Sequence, residues 1–198
     1  MTRILAIDTT GEHGSIALVE DGAVTEEVAI ESPDGFAHVV FGEIEALLAR
    51  HELTLDEIDL FAAAAGPGSF TGVRVGLAAA KGLAEATGRK VTAVSNLRAV
   101  ASFGSSSLRA AIIDARRGEI YGGLYDGNLN AISDEVVIAK DQWLATLPPD
   151  AEIVETNRPL AGAIARIAAH RPDLARDPAE IDANYVRRSD AELLWREP

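Results

Sequence analysis

"RILAIDTTGEHGSIALVEDG", residues 3 to 22, and "RAAIIDARRGEIYGGLYDG", residues 109 to 127, share one layout. Each opens on Arg, runs through apolar residues to an Asp five positions on, turns, and returns through a strand-like run to Asp-Gly. Asp8 to Asp21 spans thirteen positions and Asp114 to Asp126 twelve. Asp-Gly beside apolar runs is a hairpin signal, and the matched Arg, Asp and Asp-Gly read as an internal duplication. A chain of 198 residues can bury a core as one domain or as two small lobes. "SFGSSS", 102 to 107, has linker composition, so the expected division is a first lobe over 1–103 and a smaller second lobe over 108–198.

Outward from the first hairpin, turns at Gly11–Gly14 and Asp21-Gly22 predict three strands in residues 3–30. Ser32-Pro33-Asp34 is a start signal for a helix over 36–50. A strand Leu60–Ala65, the Gly-rich corner "GPGSFTG" (66–72), a helix over 71–86, a strand Val91–Val94 and a helix from Asn96 follow. Beyond the second hairpin the pattern predicts a strand Glu135–Ala139, a helix near Asp141–Thr146, a strand Glu152–Glu155 and a helix Pro159–His170. That leaves the second lobe reduced beside the first.

The formal net charge of −13 repels nucleic acid at long range, so autonomous RNA binding is not expected. Cysteine is absent, which removes disulfides and thiol chemistry. Asp8 interrupts the only early apolar run, and no apolar segment is long enough to span a bilayer. No signal peptide, no membrane association and a cytoplasmic location are the expectations.

Two lobes that each open on an Asp-bearing hairpin resemble the α/β actin/sugar-kinase/Hsp70 superfamily, whose RNase H-like fold places a ligand between the lobes. "ILAIDTT", "AAGPGSFTGVRVGLAAAKGLA" and "AAIIDARRGEIYGGLY" are more specific, and resemble three signatures of the bacterial TsaB (YeaZ) family. "NYVRR", 184 to 188, resembles that family's C-terminal Tyr-Leu-Arg element with Val186 in place of Leu, while 128 to 180 shows no match. The resemblance implies a non-catalytic dimerisation and activating subunit in making N6-threonylcarbamoyladenosine at position 37 of tRNAs. It implies a TsaD-type catalytic subunit and a TsaE-type ATPase as partners, a homodimer in isolation, and tRNA contact only through the assembly. TsaD would hold the metal and the threonylcarbamoyl-adenylate that TsaC makes.

The residues themselves offer little catalytic apparatus. His13, His38, His51 and His170 include no pair at helical ligand spacing, and Gly42 stands where a second histidine would follow His38. No resident metal or cofactor is expected. Asp8 and Asp114 are the pair that could hold Mg²⁺ for a nucleotide; the alternative is that each carboxylate accepts backbone N–H groups after its strand. Bulky Ala115-Arg116-Arg117 departs from a backbone phosphate cradle. No G-x-S-x-G elbow is present, and no Lys-Ser/Thr completes a P-loop after the corner glycines. Ser69 and Arg74 could still meet an anion at the helix start. A small-molecule phosphotransferase or ATPase using the cleft between Asp8 and Asp114 is therefore the rival function.

Helix 71–86 carries two apolar stripes, Val73, Leu77, Ala80 and Ala84 on one side and Val75, Ala79 and Ala86 nearly opposite. One stripe fits the sheet and the other needs a second cover. Gly72 and Gly76 would let another helix approach closely, and Phe36, Val40, Phe41, Ile44, Leu47 and Leu48 give helix 36–50 a broad apolar face. On the residues alone, these helices either bury one another or form a docking face; the TsaB resemblance favours docking. Ala79 and Ala80 are then expected on opposite sides, one facing the sheet and one a partner.

Overall fold

The computed structural model describes residues 1–186 of the chain. Strands β1 (Arg3–Asp8), β2 (Gly14–Glu20) and β3 (Ala23–Ile30) form a meander. Asp21 and Gly22, at φ 48° and 82°, make the two-residue turn that joins β2 to β3. Helix α1 (Val40–Arg50), β4 (Leu60–Ala64), α2 (Phe70–Thr87), β5 (Lys90–Val94) and α3 (Asn96–Ala101) follow. Then come β6 (Leu108–Arg116), β7 (Glu119–Asp126), β8 (Val136–Ala139), α4 (Lys140–Leu144), β9 (Glu152–Val154) and α5 (Ala161–His170). The first helix starts at Val40 rather than Phe36, because Phe36–His38 closes as a separate 3-10 turn.

Two sheets result, in the orders β3-β2-β1-β4-β5 and β8-β7-β6-β9. The second repeats the first without its fifth strand, and β6–β9 are parallel as β1–β4 are. This is the duplicated, reduced actin-like architecture expected from the two hairpins. The copy is inexact: Arg117 and Gly118 (φ 57° and 79°) form a two-residue turn after β6, where Thr9 to His13 follow β1. Asp126-Gly127 opens a wider turn that folds back through a single antiparallel bridge, Tyr125 with Ala131, rather than a two-residue turn into β8. Its carboxylate Oδ1 accepts from Asn128 N and Asn130 N at 2.8 Å and shapes a longer loop to β8.

The central strands are buried almost without interruption while their side chains alternate in direction, so the first sheet is packed on both faces. Leu5, Ile7, Leu18 and Phe61 lie with Val40, Ile44 and Leu47 of α1 and Val73, Leu77 and Ala80 of α2. Ile4, Ala6, Ala17 and Val19 lie with Ala161, Ile164 and Ala168 of α5. Helix α3 meanwhile packs Leu97 and Val100 on Ala111 and Tyr125 of the second sheet, whose opposite face holds Ile112, Ile120 and Trp143. The last helix after each sheet thus covers the other sheet, and 161–170 belongs spatially with the first. Ser15 Oγ accepts from Ala161 N (3.1 Å) and Glu27 Oε1 from Gly162 N (2.7 Å), so the first meander caps the start of α5.

The C-terminal segment also returns to the first sheet. Arg176 bridges Val91 on the edge of β5, Ile181 enters the core beside Ala79 and Leu83, and Asn184 N donates to Ala65 O at 2.8 Å. Arg187 and Arg188, with the rest of the terminal stretch, lie outside the described residues.

Candidate functional site

Local chemistry makes "GPGSFTG" a corner. Gly66 takes φ 95°, a left-handed angle that favours glycine, and Ser69 caps α2 by accepting from Gly72 N at 3.2 Å. Gly68 is needed for proximity rather than for its angle: a Cβ there would lie 2.7 Å from Thr10 O. The same holds along the helix, where a Cβ on Gly72 would fall 1.9 Å from Thr9 O and one on Gly76 2.7 Å from Thr9 Oγ1. Thr9 Oγ1 donates to Gly72 O at 2.6 Å and Ser69 N to Thr10 O at 2.8 Å. The helix start therefore packs on the Thr9-Thr10 turn and spends these groups inside the chain. The Gly72/Gly76 face admits a turn of its own chain, not a helix of another subunit.

Asp8 sits at the floor of this contact, 5% exposed. Its Oδ1 accepts from Thr10 N (2.9 Å) and Thr10 Oγ1 (2.6 Å), and Asn96 Nδ2 donates to Thr10 Oγ1. Asn96 Oδ1 accepts from Gly66 N at 3.2 Å, so one buried network joins the hairpin turn, the corner and α3. Burial pushes the Asp8 carboxyl above its ordinary pKa, and the two Thr10 hydrogen bonds oppose that shift.

Asp114 repeats the local device and not the placement. Its exposed carboxylate accepts from Arg116 N at 2.9 Å, as Asp8 accepts from Thr10 N. Strand alternation puts Asp8 on the face of Ile4 and Ala6, towards α5. The same alternation puts Asp114 with Ala110 and Ile112, on the face of Trp143 and away from α3. Asp8 thus points into the layer between the sheets while Asp114 points out of it on the far face of the second sheet, and the two carboxylates share no ligand position. Among the described residues, no three His, Asp or Glu side chains are grouped to hold a metal ion. A cleft of about 380 Å³ beside Asp114 is lined by Ile112, Ile120, Glu119, Lys140 and Glu155, and Lys140 Nζ is tied to Glu155 Oε1 at 2.6 Å. Its carboxylates outnumber its lysine, and that lysine is already paired, which suits a phosphate-bearing substrate poorly.

Helices α1 and α2 lie side by side on one face of the first sheet. Of the proposed interface residues, Phe36, Val40, Ile44, Leu47, Leu48, Gly72, Val73, Gly76, Leu77, Ala80 and Ala84 are buried in the chain's own core. No partner reaches them while the core is closed. Phe41 alone stands out, 53% exposed. Ala79 and Ala80 do not diverge either: both are buried, Ala79 in one core cluster with Ile181 of the C-terminal segment, while Ala86 of the same stripe stays exposed. The open line on α2 runs instead through Thr71, Arg74, Ala78, Gly82 and Ala86. A Cβ built on Gly82 or on Gly42 of α1 meets nothing within 4 Å. Arg74 is engaged here and not in an anion site: its guanidinium carbon lies 3.4 Å above the Phe70 ring. Helical periodicity called for two covers, and the C-terminal segment supplies the second only as far as Ala79, leaving Ala86 on the open line.

Comparison with known proteins agrees with this architecture. The family model described as TsaD, tRNA N6-adenosine threonylcarbamoyltransferase, matches residues 35–172. The chain is 29% identical to the Bacillus subtilis tRNA threonylcarbamoyladenosine biosynthesis protein TsaB, with 98% of each chain covered. It is 37% identical to Escherichia coli TsaB over 66% of this chain and 58% of that protein. YeaZ from Pseudomonas aeruginosa superposes with a TM-score of 0.78 and 25% identity, over 93% of this chain and all of that one. A Pseudomonas aeruginosa protein described as similar to the peptidase YeaZ gives 0.81 and 26%, over 94% of this chain and 100% of that one.

Proposed function

The chain belongs to the TsaB family of tRNA threonylcarbamoyladenosine biosynthesis proteins, within the wider family that the TsaD model describes. On that premise we propose that it is a non-catalytic subunit that docks on and activates a TsaD-type catalytic subunit through the outer face of α1 and α2. The observation that carries the proposal is that face: Phe41 and Phe70 are 53% and 47% exposed, beside small residues at Gly42, Ala78 and Gly82. Large apolar side chains next to a low, open backbone suit a helix-on-helix contact, where close approach gives dense packing.

The state of the first turn supports the non-catalytic reading. Thr9 Oγ1 and Thr10 O are taken up by Gly72 O and Ser69 N, and Asp8 is hydrogen-bonded within its own turn, which leaves these groups engaged inside the chain. With a net charge of −13, the chain needs a more basic partner to bring tRNA close. A TsaE-type ATPase belongs to the same proposed assembly, and a second copy of the chain is the alternative occupant of the face when the catalytic subunit is absent. Where the cell keeps the assembly follows from this role: with tRNA, in the cytoplasm.

Size-exclusion chromatography of the chain mixed with a TsaD-type subunit tests the reading. One co-eluting complex is expected with the parent chain and none with Ala78→Glu, whose melting temperature should match the parent. A folded Ala78→Glu chain that still forms the complex would move the docking face elsewhere.

A further inference from the structure

We infer that residues 176–186 form a strap latched by Glu135 of the second sheet, and that the latch sets Tyr185 in place as part of the docking face. The inference rests on the docking reading above.

The strap is attached at intervals along α2 and β5. Arg176 exchanges backbone hydrogen bonds with Val91 at 2.9 Å in both directions, and Lys81 Nζ donates to Ile181 O at 2.8 Å. Ile181 is 6% exposed, so the strap is anchored by an apolar side chain as well as by polar contacts. Asn184 N donates to Ala65 O, at the end of β4. The side chain of Asn184 reaches the other way: its Nδ2 donates to Glu135 Oε2 at 2.6 Å. Glu135 Oε1 accepts from Ser95 Oγ at the cap of α3 and from the Tyr125 hydroxyl on β7. One half-buried carboxylate, on the segment entering β8, therefore joins the cap of α3, the second sheet and the strap.

The placement has a consequence one residue further on. With its amide held by β4 and its side chain by Glu135, Asn184 fixes where Tyr185 leaves the strap. Tyr185 lands on the start of α2, its ring centroid 5.7 Å from that of Phe70, and the Arg74 guanidinium carbon lies 5.8 Å from its ring. Phe70 and Tyr185 remain about half exposed after stacking. Two aromatic rings and an arginine, ordered before any partner arrives, are the residue types that dominate binding at interfaces. The kind of partner surface that fits is an apolar hollow for the rings beside a carboxylate for Arg74, on the TsaD-type subunit. Glu135 touches none of these three side chains; it is a positioning residue.

The test uses the full-length chain and two readouts. In the free protein, hydrogen exchange at the Ile181–Tyr185 amides should rise about tenfold or more in Asn184→Ala, with the β1 and β4 amides unchanged. Binding to the TsaD-type subunit should weaken about tenfold in both Asn184→Ala and Tyr185→Ala. Glu135→Gln should keep most of the affinity, since its carbonyl still accepts from Ser95 and Tyr125 and a flipped Asn184 amide accepts from its NH₂. Unchanged strap exchange in Asn184→Ala would overturn the latch. Faster exchange with full affinity would overturn the role of the strap in docking. Failure of the parent chain to bind at all would refute the docking reading and this use of Tyr185 with it.

Discussion

Replacing Gly72 with Ala should destabilise the chain by about 1–3 kcal/mol, and the reason is local. The new Cβ would stand 1.9 Å from Thr9 O, a backbone atom at the end of β1, against an ordinary contact of 3.4 Å or more. Helix or turn must give by roughly 1.5 Å, and overpacking of this sort costs about 1–3 kcal/mol, more where backbone must move. The shift also strains the 2.6 Å hydrogen bond from Thr9 Oγ1 to Gly72 O, worth about 1 kcal/mol. Against this stands a gain of about 1 kcal/mol in helix propensity. Gly82→Ala is the control: nothing lies within 4 Å of its Cβ, so only the propensity gain remains and that variant should be more stable by up to about 1 kcal/mol. Urea unfolding of both variants at pH 7 separates the cases, and for a domain of this size Gly72→Ala should also lower the melting temperature by roughly 2–12 °C. A Gly72→Ala chain within about 0.5 kcal/mol of the parent, yet unable to pair with its partner, would refute the intramolecular account of this glycine.

Three further substitution sets follow from the same geometry. Ala79→Glu and Ala80→Glu should each cost several kcal/mol, because both sites are buried and offer a carboxylate no partner, and circular dichroism melts will report it. Glu27→Ala and Ser15→Ala should each cost about 1 kcal/mol in urea unfolding, by uncapping α5. The Asp8 pKa is raised by burial, so the folded chain binds a proton at a pH where the unfolded chain does not. Stability from this group therefore grows as pH falls from neutral through the raised value, and is lost as pH rises through it. Asp8→Asn has no such proton, so its stability relative to the parent should decline as the pH of the urea titration is lowered from 7 toward about 4.5; a constant difference would contradict the assignment.

The duplicated hairpin was legible because Arg, Asp and Gly mark its start, bend and end, and the strand order of the two sheets follows from it. Which side of the second hairpin faces inward was not. Arg3 to Asp8 and Arg109 to Asp114 have the same spacing, yet the inner face of each sheet is decided by α3 and α5, which come from outside both hairpins. Asp8 and Asp114 consequently look like a pair in sequence, yet one faces into the inter-sheet layer and the other away from it. Helix α2 taught a similar lesson. Its periodicity correctly requires two covers, but the second cover is Ile181, about a hundred residues away, and no local pattern announces it. The Gly72 and Gly76 spacing signals close approach without saying to what; Thr9 is the answer. Glu135 carries no sequence signal, because its three partners come from α3, β7 and the strap.

The most direct test of the central claim is threonylcarbamoyladenosine formed on tRNA in a system reconstituted from TsaC-, TsaD- and TsaE-type proteins with this chain as the only variable. The parent and Asp114→Asn should support formation equally, because no chemistry is assigned to the cleft beside Asp114. Ala78→Glu, folded but unable to dock, should reduce formation to the level seen with the chain left out. Loss of product with Asp114→Asn in an intact complex, or full product with undocked Ala78→Glu, would contradict the account.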